Sequence, residues 1–229
     1  MSRHALSVVS MVVLSGLSSS AWSDAARAAV SDTYRAATQA GLVSVQSRFL
    51  DEVYLQPAAD WAGYRKVQID PVQVALRPNW RRDLNESRDL SRRISVTDAA
   101  EIVQQATDVM ARTVADVFAA KGYEIVSAPG PGVLRVSPSV VDLDIYEPDV
   151  TSSRPTALFT HDAGTATLRL ELRDSAAGTL LGVVVDRGTA TQIRQINRTN
   201  QTSNLFWFDA MFRLWTANCI AAIRSEPAR

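Results

Sequence analysis

The sequence predicts an α+β fold: a mixed, mainly antiparallel sheet of about five strands with two helices packed on one face. Three observations predict it. Between residues 97 and 121, Val103, Ala106, Met110, Val114, Val117 and Phe118 recur at three- and four-residue spacing, the stripe of a helix with one buried face. Between 205 and 224, Leu205, Phe208, Phe212, Trp215, Cys219 and Ile223 form a second such stripe. Between 166 and 173, Leu168, Leu170 and Leu172 alternate with Thr167, Arg169, Glu171 and Arg173, the period of a strand with one dry and one wet face.

The remaining elements follow in chain order. Residues 24–40 are rich in alanine and weakly helical, with Gly41 as their end, and 42–62 read as an irregular lead-in. The first strand is predicted over 64–76, YRKVQIDPVQVAL, with a bulge or an edge position at Asp70-Pro71, because proline removes a ladder donor. A polar connection follows over 77–94, with six arginines against three acids. Ser95 and Thr97 are N-cap candidates for the long helix, Asp98 and Glu101 suit its positive end, and Gly122 suits its C-terminal side. Strands are predicted over 123–128 and 133–146, joined by the Pro129-Gly130-Pro131-Gly132 turn, with Pro138 bending or breaking the second. The strand at 166–173 turns through 174–179 into a partner at 180–185, an antiparallel hairpin. A polar loop over 187–203 leads to the last helix. The chain thus divides into an export segment at 1–23, a partly helical lead-in at 24–62 and one domain over 63–226.

The export segment rests on three zones. Arg3 and His4 give a basic start, Ala5 to Leu17 an apolar run, and Ala21-Trp22-Ser23 a small-x-small site before Asp24, with Ala26-Arg27-Ala28 as a second site. The run is shorter than the roughly 20 residues that span a bilayer. No cysteine follows it to carry a lipid. The mature chain is therefore expected to be periplasmic or secreted, without a lipid anchor or a transmembrane segment.

Composition excludes several classes. Of 229 residues, 46% are hydrophobic and 21% charged, as in a folded domain with a real core. Basic and acidic residues number 24 each, so the broad basic surface that nucleic acid requires is missing. All the basic residues but Lys66 and Lys121 are arginines. The single cysteine, Cys219, forms neither an internal disulfide nor a cysteine-based zinc site.

Four segments resemble a bacterial family, domain of unknown function 3313 (DUF3313). They are YRKVQIDPVQV at 64–74, the Gly122-Tyr123 helix end leading to SAPGPGVLRV at 127–136, LRLELRDSAAGTLLGVVVD at 168–186, and the closing aromatic helix. The resemblance covers roughly residues 45–225. It implies an exported protein, often a lipoprotein, with no established activity. The chain departs from that pattern in lacking the lipid-bearing cysteine.

No catalytic, cofactor or metal motif stands out, and no cofactor is expected. Three residue sets are candidates. His161, the only histidine beyond the export segment, beside Asp162, would have to serve any Ser-His-Asp hydrolase, and an envelope hydrolase would draw on it or on the carboxylates Asp142 and Asp144. The acids Asp142, Asp144, Glu147 and Asp149 would suit a hard cation, or form the wet face of a strand opposite Arg169 and Arg173; on an extended chain Asp142 and Asp144 share a face. Trp80 with Arg81, Arg82, Arg92 and Arg93 would suit an anionic lipid or lipopolysaccharide, or form a solvated loop with internal ion pairs. The expected role is a non-enzymatic binding or accessory module whose partner is another envelope protein or an anionic envelope component. Its working surface would be a sheet edge or the arginine-rich connection.

Overall fold

The computed structural model describes residue 35 and residues 37–146, 162–191 and 204–225. These form one mixed sheet with the two long helices on one face and the helical residues 37–39 of the lead-in on the other, the predicted class, but with more strands than expected. The strands are β1 (Val43–Ser44), β2 (Glu52–Leu55), β3 (Lys66–Ile69), β4 (Gln73–Leu76), β5 (Glu124–Ile125), β6 (Val133–Ile145), β7 (Asp162–Asp174) and β8 (Leu180–Thr191). The helices are α1 (Trp80–Glu86), α2 (Val96–Ala120) and α3 (Asn204–Ser225). Sheet order is β1-β2-β8-β7-β6-β3-β5, with β4 also beside β6.

Five strands become eight among the described residues for two reasons. The lead-in contributes β1 and β2, and β2 pairs antiparallel with β8, Val53 opposite Val184. The stretch predicted as one strand at 64–76 divides at Asp70-Pro71 into β3 and β4, both parallel to β6. A parallel pair requires a crossover, and α2 lies in the connection from β4 to β6.

Pro138 does not break β6, which runs unbroken over Val133–Ile145. The carbonyl of Val136 accepts from Asp70 N–H, so residue 136 turns its polar groups toward β3. Pro138, two residues on, faces the same way. It falls where no ladder exists, because pairing stops at Ile69↔Val136 and resumes at Gln73↔Ser139. The two prolines share one gap, and no donor is wasted.

The core lies between the sheet and the two long helices. Leu168, Leu170 and Leu172 of β7 and Val136 and Val140 of β6 meet Met110, Val114 and Phe118 of α2 and Phe208, Phe212 and Trp215 of α3. In α2 the buried residue of the second turn is Ile102 rather than Val103. Ser95 caps α2: its Oγ accepts from Asp98 N–H while Asp98 accepts from Ser95 N–H. Gly122, at φ +87°, lets the chain leave the helix. Gly188 is required for close approach, since a Cβ there would lie 2.5 Å from the Trp215 ring. On the opposite face, Ala37 and Leu42 of the lead-in cover Leu180, Val183 and Val185 of β8.

Candidate binding surface

The connection between β4 and α2 folds into a shoulder pinned at both ends. At its start, Arg77 N–H donates to Leu143 O, continuing the β4–β6 pairing. Its guanidinium then bridges two carboxylates, Nε to Asp144 and Nη1 to Asp83, each at 2.7 Å. Asp83 is held below the usual carboxylate range by Arg77 first and Arg82 second. Trp80 opens α1 and is 1% exposed, its Nε1–H donating to Ile145 O at 2.9 Å. At the far end Ile94 is buried, and Asn85 clamps its backbone twice: Oδ1 accepts from Ile94 N–H and Nδ2–H donates to Ile94 O.

Between those pins the chain stands out from the body. The 3-10 turn Leu90–Arg92 leaves Leu90 80% exposed, and Val96, the first residue of α2, is 70% exposed. Arg81, Arg82, Arg92 and Arg93 are all exposed. Arg82 is engaged, at 2.9 Å from Asp83 and 3.8 Å from Glu86. Among the described residues, Arg81, Arg92 and Arg93 have no carboxylate partner.

The structure therefore keeps the arginines of the predicted set on the surface and removes the tryptophan from it. Trp80 is a core residue and its indole N–H is spent on Ile145, so it presents nothing to a ligand. Leu90 and Val96 are the surface members that sequence reasoning missed. An apolar residue in an arginine-rich loop reads from sequence as packing, and only the fold shows it unpacked.

The acidic set is rearranged as well. The β6–β7 register shifts between Val141 and Asp144, and Asp142 sits at φ +51°. The bulge takes Val141 out of the expected alternation, while Asp142 and Asp144 are both part-exposed on either side of the buried Leu143. Asp144 meets Arg77 instead of Arg169 or Arg173. Those two arginines grip Glu171 from either side, at 2.8 and 2.6 Å. Next to them Asp70 accepts from Arg135 Nε and Ser137 Oγ, and Tyr64 Oη donates to Asp174 at 2.8 Å. The helix-free face of β3, β6 and β7 is thus a lattice of matched charges. Glu147, Asp149 and His161 lie outside the described residues, as does the export segment at 1–23. Among the described residues no group of three or more His, Cys, Asp or Glu is placed to hold a metal ion.

One pair escaped the sequence entirely. Asp186 in β8 and Asp51 before β2 exchange backbone contacts: Asp51 N–H donates to Asp186 Oδ1 at 3.1 Å, and Arg187 N–H donates to Asp51 Oδ2 at 2.9 Å. Burial raises the Asp186 carboxyl to about 6, opposed by the Asp51 N–H and aided by the Asp51 charge. Cys219, fully buried on α3, has its thiol pushed up to about 12 by burial alone, as suits a core filler.

This architecture is that of an α+β domain with one mixed sheet, two long helices on one face and a pinned cationic shoulder at the sheet's end. The chain belongs to the DUF3313 family, whose model, described as a protein of unknown function, matches residues 40–219. No curated protein matches it. Solved structures that it resembles include two of PelC from Paraburkholderia phytofirmans. A variant PelC dodecamer carrying one leucine-to-methionine substitution, in space group C2, is 11% identical with a TM-score of 0.34, covering 81% of this chain and 98% of the other. The PelC dodecamer in space group P6 is 11% identical with a TM-score of 0.33, covering 77% and 96%. Likeness at that level carries no functional argument. No helix among the described residues is long and apolar enough to cross a membrane.

Proposed function

We propose that this protein is an exported component of the bacterial cell envelope, periplasmic or secreted, that works by binding another envelope component rather than by catalysis. The observation that supports it is the distribution of charge. On the helix-free face, carboxylates and guanidiniums neutralise one another at hydrogen-bond distance. On the 77–96 shoulder, which Trp80, Ile94 and Asn85 hold in place, the exposed Arg81, Arg92 and Arg93 stand without a carboxylate partner among the described residues, against one unengaged acid, Asp89. A preorganised patch of net charge loses little entropy on binding a partner of opposite sign. The alternative surface, a sheet edge, has less in its favour: among the described residues the outermost strands β1 and β5 are two residues long and β4, beside β6 alone, is four, all short for templating another strand.

The test is capture from the envelope. Cells making the tagged chain are crosslinked and the chain is purified from the envelope fraction. An envelope component is expected with the wild type and is expected to be lost with Arg92→Gln/Arg93→Gln. No captured component, or an undiminished one in the variant, overturns the reading. So does turnover of an ester, phosphoester or glycan that disappears with His161→Ala or Asp144→Asn.

A further inference from the structure

We propose that the 77–96 shoulder docks the protein on the headgroup layer of an anionic phospholipid membrane. This deepens the binding reading above and rests on it. The first argument is charge. The segment 77–94 carries an excess of three positive charges, and two of its three acids are engaged by its own arginines, the third, Asp89, being exposed. Asp83 is shared by Arg77 and Arg82, and Glu86 lies beside Arg82. What faces outward unpaired is Arg81, Arg92 and Arg93, three cations against the single acid Asp89. An anionic bilayer offers the complementary charge over an unlimited area, and guanidinium pairs bidentately with phosphate.

The second argument is shape and polarity. Leu90, 80% exposed, opens the 3-10 turn that ends in Arg92, and Val96, 70% exposed, opens α2 six residues on. Exposed apolar side chains in a segment rich in guanidiniums match the water–headgroup–acyl gradient of an interface, where long basic side chains snorkel and short apolar ones enter. A fluid bilayer takes exposed side chains of this kind without the shape match that a protein hot spot needs. The same end of the fold adds an aromatic. Tyr146, 40% exposed, follows the Ile145 that holds the Trp80 indole, and tyrosine favours the interface. Trp80 serves this surface from beneath, as the anchor that fixes the orientation of Arg81.

The experiment is flotation of the full chain with vesicles of phosphatidylglycerol and phosphatidylcholine in equal parts, against vesicles of phosphatidylcholine alone. The wild type is expected to float with the anionic vesicles and to be released as salt rises. Arg81→Gln/Arg92→Gln/Arg93→Gln is expected to weaken partitioning by on the order of a hundredfold. Leu90→Asp is expected to weaken it several-fold with its melting curve unchanged. Comparing variants within one full-length chain cancels any contribution from the apolar run at 5–17. No binding, equal binding to both vesicle types, or binding that the triple variant retains overturns the proposal. If envelope capture depends on Arg92 and Arg93 while vesicles bind nothing, membrane docking falls and the binding module stands. If capture fails too, both fall.

Discussion

Asp186 shows how one side chain couples to solvent conditions. Its carboxyl lies under β2 with Asp51 as its titratable neighbour, and burial raises its pKa to about 6 from the ordinary 3.8. A group whose folded pKa is raised contributes stability that is fully present below its unfolded pKa and lost as pH rises through the folded one. The fold is therefore expected to lose roughly 1–3 kcal/mol from this site between about pH 4 and pH 7. Asp83, Asp98 and Asp174 are shifted downward by their partners, so their contributions vanish only at lower pH. Stability is expected to peak at about pH 4. Asp186→Asn keeps the acceptor for Asp51 N–H and removes the ionisation. Urea denaturation should find it more stable than wild type near neutral pH, equal in mild acid, and flat between. A variant with the wild-type slope would show that the carboxylate is solvated. None of this was legible in the sequence, because Asp51 and Asp186 are 135 residues apart and each alone is an ordinary surface acid. Trp80 misled in the opposite sense: its neighbours Arg81 and Arg82 are wet, and nothing in the local pattern says that the ring turns inward.

At the scale of elements, the long helices were legible because a 3.6-residue period persists through about twenty residues and the cap signals agree with it. Ser95 with Asp98, and Gly122 at the far end, marked α2 to within a residue. The β7–β8 hairpin was legible for the same reason, with period two and a turn of Asp174 and Gly178. Places where two strands answer one another were illegible. The bulge at Asp142 and the proline-matched gap at Pro138 depend on the partner strand's register, which composition does not encode. The helix–sheet contact makes its own prediction. Gly188 of β8 leaves the Trp215 ring no spare room. Gly188→Ala is expected to lower stability by about 1–3 kcal/mol through overpacking. Trp215→Phe, destabilising alone through lost volume, is expected to recover part of that in the double variant. A double-mutant cycle by thermal melting checks the coupling; strict additivity would mean that the two elements do not press on each other.

For the whole molecule, class and family were legible and strand count was not. Two of the missed strands sit in a segment whose partner is the last strand of the sheet. The candidate surface was half legible: the arginines were visible as a charge excess, while their pins, Ile94 and Asn85, and the exposed Leu90 and Val96 required the fold. The β2–β8 pairing also makes the ends of the domain interdependent. Val53, buried against Val184, is the hinge pin of that closure, and Val53→Asp is expected to expose it. Static light scattering should then report concentration-dependent association absent from wild type; a monodisperse variant would refute this.

That pairing sets an order of events for a chain that emerges amino end first. Segment 42–55 must wait, unsatisfied, while more than a hundred residues follow, because its mate is made almost last. Until it returns, the twelve-residue β8 has a bare flank with Val183 and Val185 uncovered, a ready template for a neighbour's strand. A helper that shields nascent chains would find its principal client surface there, on the final ribbon rather than on the arginine-bearing shoulder.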